Sequence, residues 1–282
     1  MRRPASLDTS HANFYCGSFR KEDERIGRVL GAIESVVDRP LTCYFNRSGR
    51  PKEIPGDRTA FVSQWLPRPT DKFRSQLLCS KSLSPTLLVT VDNILTLREL
   101  MGRRDEPFNG AVTIRFAPTG PFADPLVGQF ARLVSVTECF YAVMALNPLA
   151  HQTLYTRQRL AERLAQADRY RAQSPVGGEM EYKLAMDAAE QYVYDLEEKP
   201  ITGVTPGGQT FNMRLQWMNY WSDAIAARLG FPNDTLDRPL QGLYERLNGG
   251  WLVKLTPRPT DLDKPEDLQR VRWAYDRFAG RG

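Results

Sequence analysis

Three segments near the C-terminus, each closed off by glycine or proline, restrict this chain most. Met213 to Leu229 carries Met213, Trp217, Tyr220, Trp221, Ala224 and Ile225 at three- and four-residue spacing, which predicts an aromatic amphipathic helix stopped by Gly230 and Pro232. Gly250-Trp251-Leu252-Val253-Lys254-Leu255 lies between Gly249 and Pro257, too short for a helix, and predicts a buried strand. Asp261 to Leu268 opens a last helix, with Asp263 and Glu266 in capping-box relation and Pro265 tolerated in the first turn. Leu268, Val271, Tyr275 and Phe278 supply its core face. This unit holds no nucleophile beside a base, no metal-ligand cluster and no phosphate loop, so it reads as a unit built to pack and to present a surface.

Upstream, Phe14 to Phe19 predicts an opening strand, and Ile26, Val29, Leu30, Ile33 and Val37 follow a helical period that Pro40 ends. Leu41 to Phe45, Thr86 to Val91 and Ala111 to Phe116 are further strand candidates. Between Pro125 and Asn147 the apolar residues run nearly all round a helix, which predicts a deeply placed one. Residues 152 to 172 and 178 to 199 predict an antiparallel helical pair joined at Ser174 to Gly178, and Pro200 to Gln209 predicts a loop back to the main body. The expected fold is therefore α+β: a mixed or antiparallel sheet packed by helices, in one domain spanning 1-282, with a projecting helical hairpin inserted at 148-210.

The 282 residues are 41% apolar and 10% aromatic, ample for a packed core. No run is long and apolar enough to span a bilayer, and the N-terminal residues lack the apolar stretch of a secretory signal, which points to a cytoplasmic protein with no membrane partner. Cys16, Cys43, Cys79 and Cys139 are widely spaced in apolar sequence and are expected to be reduced and buried. The net charge of +5 taken alone suggests an acidic partner such as nucleic acid. Locally the sign reverses, because residues 177 to 199 hold seven acids against two lysines.

Candidate chemistry is sparse. His11 and His151 have no cysteine or carboxylate at ligand spacing, so neither a metal nor a cofactor is implied. The glycine doublets fit turns better than phosphate loops, and Asp261 with Asp263 fits a helix start better than a carboxylate pair for acid-base work. No catalytic residue is assigned, and the chain is not expected to be an enzyme. Two surface features remain. On the second helix of the inserted pair, Lys183, Asp187, Glu190, Tyr194 and Glu197 share one outer face, which is either a solvated surface or one that lies against a basic cleft with Tyr194 as anchor. Trp273 falls well off the core face of the last helix, so it is either sandwiched by another element or exposed for an interface.

Trp217-Met218-Asn219-Tyr220-Trp221-Ser222, Gly250 to Thr256, Asp263 to Leu268 and Tyr275-Asp276-Arg277-Phe278 together resemble the immunity protein 52 family of bacterial polymorphic-toxin systems. The resemblance implies an α+β immunity protein of a type VI secretion system, a non-catalytic antitoxin. It would neutralise a cognate restriction-endonuclease-like DNase effector by stoichiometric binding. The basic net charge is the wrong sign for the inhibitor of a basic nuclease, and the inserted helices depart from the compact form of the family. Partner-binding candidates are Asp187, Glu190, Tyr194, Glu197 and Trp273. The alternative is a nucleic-acid-binding regulatory protein, motivated by the positive charge and the arginines of residues 152 to 172; with no helix-turn-helix or stacking platform, direct nucleic-acid binding is not expected.

Overall fold

The computed structural model describes residues 10–17, 19, 24–45, 51–54, 56, 73–78, 87–94, 109–116, 123–146, 201–261 and 264–279. The expected helical pair within 148-210, with Asp187, Glu190, Tyr194 and Glu197, lies outside them, as do Trp65, Cys79, His151 and Asp263.

Among the described residues ten strands form one sheet: β1 (Ser10–Gly17), β2 (Cys43–Phe45), β3 (Pro51–Glu53), β4 (Phe73–Leu78), β5 (Leu87–Ile94), β6 (Asn109–Phe116), β7 (Tyr141–Ala145), β10 (Met218–Ser222), β11 (Tyr244–Leu247) and β12 (Gly250–Lys254). Their order is β11-β12-β10-β7-β1-β6-β5-β4-β2-β3, and every ladder is antiparallel. Strands β8 (Ile201–Val204) and β9 (Thr210–Met213) make a separate hairpin. The architecture is α+β.

One face of the sheet is covered by α1 (Arg25–Val37), α2 (Ala123–Gly128) and α3 (Phe130–Thr137). Helix α1 forms as its spacing predicts: Ile26, Val29, Leu30, Ile33 and Val37 are buried against Phe14, Val112 and Ile114, while Gly27, Arg28, Gly31 and Ser35 face outward. Full burial of such side chains stabilises by about 1.5–3 kcal/mol each. Asp38, in the left-handed region at φ 51°, stops the helix two residues before the expected Pro40, and its N–H bonds the Glu34 carbonyl. The other face carries α4 (Asp223–Leu229), α5 (Pro265–Phe278) and the β8–β9 hairpin.

Three expectations are corrected. Residues 125 to 147 are not one helix: α2 and α3 are short, and β7 follows. Met213 to Leu229 is not one helix either, since Met218–Ser222 is strand β10 and only Asp223–Leu229 is helical. Both errors share a cause. β7 is buried at all five positions and β10 at its first four, because helices or hairpin cover both faces and strands flank both edges. A strand covered on both faces loses the period-2 signal and reads as a run of apolar residues. Pro200 to Gln209 is not wholly loop: Gly203 lies within β8, Gly207 and Gly208 fall in the turn, and β8 and β9 close a hairpin around it. Helix α5 starts at Pro265 after Lys264, whose side chain makes no cap bond; the expected capping box rests on Asp263, outside the described residues, and Asp267 accepts the Asp261 N–H at 2.9 Å. The strand expected over Gly250 to Leu255 forms as β12. Gly250 is required there, since a Cβ would sit 2.2 Å from the Trp221 carbonyl.

Candidate functional site

The sheet register brings residues far apart in the chain into one cross-strand row. Tyr15 of β1 stands beside Tyr141 of β7, then Trp221 of β10, Trp251 of β12 and Arg246 of β11. Directly opposite residues of an antiparallel ladder share a face, so the row lies on the α4–α5 side and ends at the sheet edge. Its inner half is structural. Tyr15 and Tyr141 stack at 5.3 Å, Tyr141 donates a 2.6 Å bond to the Arg214 carbonyl, and burial pushes both phenols above their usual range. Burial keeps both protonated, and Tyr141 serves as a hydrogen-bond donor. Trp221 is wholly buried and meets Phe231 and Phe278 edge-on at 5.1 Å each.

The outer half reaches solvent. Phe231 touches Tyr244 at 5.1 Å and Trp251 at 5.9 Å, and Tyr244 meets Trp251 at 5.8 Å; Tyr244 and Trp251 are half-buried. The Arg246 guanidinium lies 5.1 Å over the Trp251 ring and is held by both carboxylate oxygens of Asp223, the Oδ2 contact being 2.9 Å. The Arg246 partner draws the Asp223 carboxyl below the usual carboxylate range, and both side chains remain about half exposed. A guanidinium fixed in place beside two partly exposed aromatic rings loses little freedom when a partner covers it, which is the composition of an interface anchor.

This surface rests on a buried clamp. Arg277 of α5 donates to the Leu229 carbonyl at 3.1 Å and to the Gly230 carbonyl at 2.8 Å, where α4 ends. Its Nε lies 2.8 Å from Asp237 Oδ1, a charge contact outside hydrogen-bond alignment, while a second nitrogen bonds Asp237 Oδ2 at 3.3 Å. Asp237 Oδ2 also accepts the Asn233 N–H at 2.7 Å. The loop that presents Phe231 to Tyr244 and Trp251 is thereby tied to both helices. The Trp217 indole donates to the Thr256 carbonyl at 3.0 Å, and an open depression of about 480 Å³ is lined by Thr256, Pro257, Arg258, Glu266, Asp267 and Arg270.

Of the sequence-derived partner-binding candidates, Trp273 is described. It is half-buried, its ring 6.1 Å from Phe278, so it adjoins the same aromatic group without being enclosed by it. Val271, Tyr275 and Phe278 are buried as expected, with Ala274 between them, whereas Leu268 is half-buried. Spacing alone does not single out Asp223, Tyr244 or Arg246, because their grouping is made by strand pairing. The available local signal was the Asn248-Gly249 turn, with Gly249 at φ 76°, which announces a hairpin between Tyr244–Leu247 and Gly250–Lys254. Trp217 and Trp221 are core residues, while Trp251, in the strand expected to be buried, is half-buried.

His11 lies in β1 opposite Arg115. Among the described residues no group of three or more histidine, cysteine or acidic side chains could hold a metal ion, and no helix is long and apolar enough to cross a membrane. Cys16, Cys43 and Cys139 are free thiols and buried, and burial pushes the Cys139 thiol up to about 12.

Residues 207–282, which contain the outer aromatic edge and its clamp, match a family model described as DUF5953, a domain of unknown function. Among solved structures, a Pseudomonas aeruginosa T6SS protein shares the fold with a TM-score of 0.55 at 12% identity, the match covering 96% of this chain and 73% of that one. No curated protein matches the sequence.

Proposed function

We propose that this chain is a type VI secretion immunity protein that binds a cognate DNase effector and neutralises it stoichiometrically, without catalysis. The observation that carries the reading is the likeness of fold, over nearly the whole chain, to a protein whose name places it in the T6SS. The C-terminal motifs that resemble the immunity protein 52 family add to it, and they coincide with the segment that builds the aromatic edge. In this reading Trp251, Tyr244 and Arg246 anchor the effector, Trp273 extends the same surface, and Asp187, Glu190, Tyr194 and Glu197 supply a complementary acidic face for a basic nuclease.

Co-expression with a candidate DNase effector tests the reading: for the cognate one, growth is restored and the two proteins co-elute as a stable complex. If neither happens, the antitoxin role is rejected. Charge reversal at Asp187, Glu190 and Glu197 lowers effector affinity by about a hundredfold or more, and Trp273→Ala by about tenfold. Unchanged affinity in either variant removes that surface from the account.

A further inference from the structure

We infer that the β11 edge accepts an extended segment of a partner protein as an additional strand, and that it selects one alternating apolar and basic residues. This deepens the proposed antitoxin role and rests on it for the partner's identity as an effector.

The hydrogen-bond pattern comes first. Lys254 donates to the Leu243 carbonyl at 2.8 Å, next to the pair Tyr244↔Val253. Paired and unpaired positions alternate along an antiparallel ladder, so Glu245 and Leu247 exchange bonds with β12 while the backbone groups of Tyr244 and Arg246 point off the sheet. β12 confirms the phase from its other side, where Leu255 donates to the Trp217 carbonyl at 2.9 Å. β11 is the last strand in the sheet order, Glu245 and Arg246 are exposed, and no other described strand pairs there. Two residues with free N–H and C=O groups, set between Glu245 and the Tyr244–Trp251–Arg246 group, make an acceptor for an added strand.

Charge then decides the occupant. A second copy pairing symmetrically would run antiparallel, and the register engaging both Tyr244 and Arg246 within β11 centres on Glu245. That sets two carboxylates opposite each other, which disfavours self-association. On the opposite face Arg246 is already neutralised by Asp223, leaving apolar ring surface and the arginine stem to cover. An incoming strand therefore does best with lysine or arginine across from Glu245 and apolar side chains across from Tyr244 and Arg246.

The test uses the full chain and two fluorescein-labelled eight-residue peptides, one alternating valine and lysine, the other valine and glutamate, with affinity read by anisotropy. The basic peptide is expected to bind about tenfold more tightly than the acidic one, and Glu245→Lys to reverse that order. Arg246→Pro removes an N–H that β12 does not use, so it is expected to bind the basic peptide about tenfold more weakly than Arg246→Ala does. Equal binding of the two peptides, no binding of either, or Arg246→Pro matching Arg246→Ala overturns the inference. Titrating the co-expressed effector separates the two ideas: wild type failing to bind it rejects the antitoxin role and leaves the peptide result standing. Arg246→Pro binding it like wild type rejects β11 as its docking edge.

Discussion

Replacing Arg277 by methionine puts the clamp beneath the aromatic edge to a quantitative test. Arg277 and Asp237 are 5% and 1% exposed, so the pair is almost fully out of water. Methionine fills much of the arginine stem's volume but leaves the Asp237 carboxylate buried with the Asn233 N–H as its remaining described donor, and the Leu229 and Gly230 carbonyls lose theirs. Breaking a buried pair from one side costs about 3–5 kcal/mol, because the surviving charge is uncompensated. Against a typical total of about 5–15 kcal/mol this is a large fraction. The double variant Arg277→Met with Asp237→Leu removes both charges and is expected to regain more than half of the loss, leaving about 1–2 kcal/mol for the unpaired Asn233 N–H and α4 carbonyls. Guanidinium unfolding followed by tryptophan fluorescence measures both, the midpoint shifting with the slope unchanged. A single-variant cost below about 1 kcal/mol, or two costs that simply add in the double variant, refutes the reasoning.

Three further outcomes follow from the geometry. Asn219 is wholly buried in β10 and bonds both the N–H and the C=O of Gln216 at 2.9 and 2.7 Å, so Asn219→Leu strands two backbone groups and is expected to cost about 2–4 kcal/mol in the same unfolding assay. The Asp223 carboxyl titrates below 3.8 in wild type; its stabilising contact is present above that value and is lost as pH falls through the lower folded value, and in Arg246→Met the carboxyl resonance titrates closer to 3.8 by NMR. The Cys139 thiol, held up at about 12, stays unreactive toward a disulfide reagent at pH 8 until the chain unfolds; because the unfolded thiol ionises earlier, this residue's contribution to stability declines between about pH 9 and 12. Rapid labelling of Cys139 in the native protein contradicts its burial.

Legibility in the sequence followed exposure. Helix α1 was readable because one side faces water, so Arg28 and Ser35 interrupt Ile26, Val29, Leu30 and Ile33 at a helical period. Strand β12 was readable because Gly249 and Pro257 bound it too tightly for anything else. β7 and β10 were not, since a strand packed on both faces carries no alternation, and Trp217, Tyr220 and Trp221 mimic a helical stripe by accident of composition. For the proposed interface, Trp273 stood out as an aromatic residue off its helix's core face, and the structure leaves it half-exposed. Arg246 and Asp223 carried no such mark. They meet across 23 residues of separation only once β11 has folded back on β12 and α4 has started beside them.

The placement of β7 has a consequence for biosynthesis. Its two neighbours come from opposite ends of the chain: β1 leaves the ribosome early, whereas β10 is made more than seventy residues after β7. Until then the nascent protein carries a bare strand of Tyr141-Ala142-Val143-Met144-Ala145, apolar on both sides and ready to pair with any neighbouring chain. Completion of this part of the sheet therefore waits until β10 has been made, and up to that point β7 is an open edge at which the chain is exposed to misassociation.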